Sequence, residues 1–94
     1  MEARKIIITG GATRVGAAIA EKLSGPNVEI TIHYNKSKSK AENLKNKLEK
    51  FGTKIYLVSG DLSKEKDIYK IIKFSKSKMK FFDCLVNNAS LFEN

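Results

Sequence analysis

The spacing of apolar residues along this chain changes character several times. Lys5–Thr9 holds three consecutive isoleucines with no polar interruption, which predicts a parallel strand covered on both faces. Gly10 and Gly11 stop it. From Val15 to Leu23 the apolar residues Val15, Ala18, Ile19 and Leu23 recur at helical spacing, and Ser24-Gly25-Pro26 ends that helix. A second strand is expected over Val28–Tyr34. Ser37–Phe51 reads as a lysine-rich amphipathic helix with Leu44, Leu48 and Phe51 on one face, closed by Gly52. Lys54–Ser59 predicts a third strand. Asp61-Leu62-Ser63 then opens a helix to about Lys78, with Ser63 as N-cap and Ile68, Ile71, Ile72 and Phe74 as its apolar face. Phe82–Val86 predicts a fourth strand, in which Cys84 is expected to pack as a small hydrophobe.

Strand and helix alternate with short connections, the pattern of βαβ units and an α/β fold around a parallel sheet. For a doubly wound order 3-2-1-4, the fourth strand would be an open edge. The chain is therefore expected to be the first part of a longer domain, or to depend on a partner, a second copy included. Ninety-four residues suit one small domain. No apolar run approaches the roughly 20 residues of a membrane helix. Only three isoleucines follow Arg4 and Lys5, too few for a secretory signal, so a cytoplasmic chain is expected. A single cysteine excludes an internal disulfide, and the scattered acidic residues suggest no metal site.

The formal charge of +8 raises the question of nucleic acid. Sixteen of the eighteen basic residues are lysines, spread at spacings typical of solvated helix faces, and aromatics are not interleaved with them as stacking platforms. This pattern argues for a lysine-rich surface and against nucleic-acid binding.

Candidate chemistry lies where the first strand meets its helix, in Thr9-Gly10-Gly11-Ala12-Thr13-Arg14-Val15-Gly16. Gly10 allows a tight turn, free amides at the helix start would face an anion, and Gly16 lets the helix lie close to the strand. This is the physics of a diphosphate site. Cofactor-binding roles are therefore expected for Gly10, Arg14, Val15 and Gly16. An NAD-binding strand two ordinarily ends in a carboxylate for the ribose 2′-hydroxyl. Here it ends His33-Tyr34-Asn35-Lys36-Ser37, without one. With Arg14 inside the turn, the cations and hydroxyl favour a 2′-phosphate, hence NADP(H) over NAD(H).

Thr9-Gly10-x-x-x-Arg14-x-Gly16, Asp61-Leu62 after strand three and Asn87-Asn88-Ala89 after strand four, in this order, resemble the short-chain dehydrogenase/reductase family. The resemblance covers essentially the whole chain and is nearest to the pteridine reductase branch, through Arg14, His33-Tyr34-Asn35-Lys36-Ser37 and Asn87-Asn88-Ala89-Ser90-Leu91-Phe92. It implies an NAD(P)-binding Rossmann-type fold, truncated to its N-terminal part. It also implies that Arg14, His33, Tyr34, Asn35 and Ser37 surround the 2′-phosphate. Asp61 would bond the adenine amino group, with Leu62 beside the ring. Asn88 and Ala89 would line the adenosine ribose, Ser90 would reach the cofactor phosphates and a pterin, and Phe92 would stack on the pterin.

Family members are about two and a half times longer, and their catalytic Ser or Asp and Tyr-x-x-x-Lys pair lie downstream of the Asn-Asn-Ala stretch. Two such strings occur here, Tyr34 to Lys38 and Tyr69 to Lys73, but both precede strand four. No catalytic residue is therefore assigned. The expectation is a cofactor-binding fragment of an NADPH-dependent reductase, inactive alone, whose intact relatives act on a pterin or another small carbonyl or imine substrate. A second polypeptide carrying the missing half is expected to restore activity. The alternative is a non-catalytic remnant or nucleotide-binding module from an interrupted reading frame.

Overall fold

The computed structural model describes residues 3–88. Four strands and three helices alternate: β1 (Arg4–Thr9), α1 (Arg14–Leu23), β2 (Val28–Tyr34), α2 (Lys38–Glu49), β3 (Lys54–Ser59), α3 (Glu65–Met79) and β4 (Cys84–Asn87). The strands form one parallel sheet in the order β3-β2-β1-β4, as the alternation predicts.

Because side chains alternate across a strand, the isoleucine runs feed both faces of the sheet. Ile6, Ile8, Ile30, Ile32 and Ile55 pack with Ala20 of α1 and with Leu44 and Leu48 of α2. On the opposite face Ile7 and Val58 pack with Ile71 and Met79 of α3. The result is three layers, α1 and α2 on one side and α3 on the other. Among the described residues no helix is long and apolar enough to cross a membrane.

Several expectations about helix faces and ends are corrected. The buried stripe of α1 contains Gly16 and Ala20, whereas Val15 is 60% exposed and Ala18 is also exposed. A helix lying this close to the strand needs small residues at the contact, so Val15 turns outward. In α2 the buried positions are Ala41, Leu44 and Leu48; the helix ends at Glu49 and leaves Phe51 half exposed in the following turn. The third helix begins at Glu65 after Lys64, not after Ser63, whose amide and hydroxyl are both bonded to Asp61. Its buried stripe is Ile71, Ser75 and Met79, at helical spacings of four, while Ile68 is nearly half exposed.

The fourth strand is shorter than expected, and Cys84 is exposed rather than packed. It pairs with β1 on one side, and among the described residues no strand covers its other side. At the opposite end of these strands Lys5 and Asp83 are bonded in both directions, and the Lys5 ammonium reaches Met79 O at 2.6 Å.

Candidate functional site

The carboxyl ends of all four strands gather most of the residues singled out above. In an open α/β sheet this edge is where ligands bind. Gly10 takes φ of 63°, a left-handed conformation that glycine adopts without strain, and so turns the chain from β1 toward α1. Gly16 is buried at the close approach of helix and turn. A Cβ there would meet Gly10 O, Gly11 Cα at 2.7 Å and Asn88 Nδ2 at 2.9 Å.

Thr13 is the N-cap of α1: its Oγ1 accepts from the Gly16 amide at 3.1 Å and donates to Gly10 O at 2.7 Å. Asn88, just past β4, donates through Nδ2 to Gly10 O and Thr13 Oγ1, both at 3.0 Å. Asn88 thus braces the turn from the neighbouring strand. Beside it Thr9 Oγ1 donates to Asn87 Oδ1 at 3.1 Å. The bracing role of Thr13 escapes the motif reading, although a threonine three residues before Gly16 at a helix start is a recognisable cap signal.

The turn is held from the other side by His33. Its main-chain oxygen accepts from the Gly11 amide at 3.0 Å, and its Nδ1 accepts from the Gly10 amide at 3.0 Å. Nε2 lies 2.7 Å from Gly60 O. A carbonyl only accepts, so Nε2 carries the proton and the ring is neutral. The side chain is 2% exposed, and burial depresses its pKa, opposed by the bond to Gly60 and reinforced by the charge of Lys70. Both ring nitrogens are spoken for by backbone. The expectation that the imidazole reaches a 2′-phosphate is therefore corrected: it sits beneath the turn.

These bonds draw the Gly10 and Gly11 amides inward, while the Thr13 amide goes to Gly10 O. The expected free amides are consequently further along. Among the described residues none of the hydrogen bonds takes the amides of Ala12, Arg14 or Val15. They stand at the positive end of α1, with the exposed Arg14 side chain beside them.

Next to this turn is the end of β2. Tyr34 is half-buried and its carbonyl accepts from the Gly60 amide at 3.1 Å, which ties β2 to the loop after β3. Asn35, Lys36 and Ser37 are exposed. Ser37 is the N-cap of α2, and its exposed side chain makes no capping bond. After β3, Asp61 Oδ1 accepts from the Ser63 amide and hydroxyl at 2.9 and 2.7 Å. These two bonds, helped by the charges of Lys64 and Lys36, hold its carboxyl below the usual range. An ionised Asp61 keeps Oδ2 as an acceptor, and Leu62 beside it is half-buried. Ala89, Ser90 and Phe92 lie outside the described residues.

The tyrosines of the two Tyr-x-x-x-Lys strings lie on different elements, β2 and α3. Tyr34 ends β2, and Tyr69 is 63% exposed on the outer face of α3. What the edge offers is a cradle: unpaired amides and an arginine for phosphate oxygens, a serine hydroxyl nearby, and a carboxylate acceptor beyond. These groups fit an adenine dinucleotide.

Residues 4–94 match the protein family described as short chain dehydrogenase. The short-chain dehydrogenase/reductase homolog YusS of Bacillus subtilis is 31% identical over 85 residues, which are 90% of this chain and 78% of that protein. A short-chain dehydrogenase from Oenococcus oeni superposes with a TM-score of 0.84 at 29% identity, covering 99% of this chain and 44% of that one. The FolM alternative dihydrofolate reductase 1 of Brucella canis, solved in complex with NADP, is 33% identical with a TM-score of 0.80, covering 96% of this chain and 36% of its own. The chain thus spans less than half the length of these solved structures.

Proposed function

Because the chain belongs to the short chain dehydrogenase family, we propose that it is the NADP(H)-binding N-terminal part of a short-chain oxidoreductase of pteridine reductase-like type. One observation carries the choice of cofactor. Arg14 stands exposed at the first position of α1, while β2 ends at Tyr34 and runs into Asn35-Lys36-Ser37 with no carboxylate to repel a phosphate. The NADP complex of the 33% identical reductase supports the same reading.

The amides of Arg14 and Val15 would hold the diphosphate, with Gly10 and Gly16 permitting its approach. The Arg14 guanidinium, the Ser37 hydroxyl, and Tyr34 and Asn35 would take the 2′-phosphate, and Lys36 adds positive charge. Asp61 would accept from the adenine amino group with Leu62 against the ring, while Asn88 and Ala89 border the ribose. In a whole enzyme the bound nicotinamide supplies hydride to a C=N or C=O bond. There Ser90 and Phe92 would meet a pterin or similar small substrate. A Tyr-x-x-x-Lys pair after β4 would come from sequence beyond these residues.

Calorimetry tests the proposal. The purified 94-residue polypeptide should bind NADPH more tightly than NADH, without oxidising it when pterin or quinonoid substrates are added. Arg14→Ala should lower NADPH affinity roughly tenfold, about 1.4 kcal/mol, and leave NADH affinity nearly unchanged. Equal affinity for the two cofactors in the unmodified chain, or an undiminished preference in Arg14→Ala, would overturn the NADP(H) assignment.

A further inference from the structure

We propose that His33 is a positioning residue for the glycine turn: its neutral imidazole clamps Gly10 to Gly60, and its protonation releases the turn and weakens anion binding there. Three observations converge on this residue. It is buried on the face of the sheet that α3 covers, next to Val58 of β3. Its Nδ1 accepts from Gly10 on the β1 side, and its Nε2–H donates to Gly60 on the β3 side. The main-chain oxygen of the same residue takes the Gly11 amide. One residue of the central strand therefore sets the position of two consecutive turn residues and the start of the next loop.

The clamp works in one protonation state only. An imidazolium carries two N–H donors and no acceptor, so Nδ1–H would face the Gly10 N–H, donor against donor. The surroundings oppose that state. Lys70 of α3 is the charged side chain whose field falls on the ring, and it is repulsive to a cation. Asp67, on the same helix, is turned to the Asp61 amide at 2.8 Å, and Asp61 is turned to Ser63. On the β1 side, the Lys5 ammonium is engaged at the far end of the strand with Met79 O. With burial lowering its pKa, His33 is neutral at pH 7 and takes up a proton only below its ordinary 6.5.

The affinity arm of the test rests on the turn being the diphosphate site proposed above; the spectroscopic arm does not. His33 is the single histidine of the chain, so its 15N and 1H signals are unambiguous. As pH falls, NMR should show Nδ1 passing from acceptor to protonated while the Gly10 amide signal shifts with the same midpoint, in the absence of any ligand. A Gly10 amide indifferent to that midpoint, or a neutral ring protonated on Nδ1, would overturn the inference whatever the turn binds.

For affinity the probe is ADP-ribose, which has a diphosphate and no 2′-phosphate to titrate. Unmodified chain should lose roughly three- to tenfold in affinity as His33 is protonated. In His33→Asn the side-chain oxygen stands near the Nδ1 position and can still accept from Gly10. That variant should bind as well at pH 7.5 and lose the pH dependence. His33→Gln, which reaches Gly60 but not Gly10, should bind roughly three- to tenfold more weakly at every pH. The same pH profile in His33→Asn as in the unmodified chain would sink the clamp. Should ADP-ribose bind nowhere in this range, the cofactor reading fails, and the coupling of Gly10 to His33 stands or falls on the NMR titration.

Discussion

At the scale of single residues, Gly16 carries the tightest constraint in the site. Its Cα hydrogen occupies the only space left between α1, the Gly10–Gly11 backbone and Asn88. Gly16→Ala must push the helix off the turn, because two of the opposing groups are backbone. Overpacking of this kind costs about 1–3 kcal/mol. The variant is expected to melt several degrees lower in a thermal scan by circular dichroism, and to bind the cofactor more weakly. An unchanged melting temperature would mean that the helix has slack at this contact. Asp61 needs no such constraint: two bonds from Ser63 aim its carboxylate locally. The turn glycines were legible one by one: the positive φ of Gly10 and the close approach at Gly16 are what a tight strand-to-helix turn asks of glycine. His33 was not. A histidine before a loop is equally consistent with a surface contact and a buried bridge. The arrival of Gly60 from the loop after the neighbouring strand β3 decides between them.

At the scale of elements, strands were easier to delimit than helices. Val28–Tyr34 and Lys54–Ser59 have the observed bounds, because polar residues and glycine punctuate a β-branched run sharply. Helix faces were harder. In α1 the apolar period suggested Val15 and Ala18, but proximity to the sheet selects Gly16 and Ala20. Size at the contact outweighed hydrophobicity. In α3 the buried Ser75 lies in line with Ile71 and Met79, and its hydroxyl is satisfied by donating to Ile71 O at 2.9 Å. A pattern reading counts that serine as a surface position. The ion pair of Lys47 with Glu21, 2.8 Å long and joining α2 to α1, is solvent-exposed on both sides and contributes at most about 1 kcal/mol. The two helices are held chiefly by Leu44, Leu48 and Ala20 on the shared core.

At the scale of the whole molecule, the open side of β4 governs behaviour in solution. Leu85 is 51% exposed and Cys84 is exposed beside it, on a strand with a free edge among the described residues. Unpaired edges of this kind invite pairing with another strand. The 94-residue polypeptide is expected to self-associate with rising concentration under reducing conditions, as read by sedimentation velocity. Leu85→Lys should shift the distribution toward monomer, since a charge on an edge strand disfavours docking. A monomer at all concentrations would show that the edge is protected.

The mutual bonds of Lys5 and Asp83 have a consequence for the order in which the molecule comes apart. They join residues 78 apart in sequence, whereas β2 and β3 reach the sheet through short crossovers. β4 also adds only four residues to the ladder, three of them exposed. Deuterium should therefore enter β4, and the β1 amides facing it, through a local opening long before it reaches the amides between β1, β2 and β3. The glycine turn, braced by Asn88 from one side and His33 from the other, would then lose its first support while keeping its second.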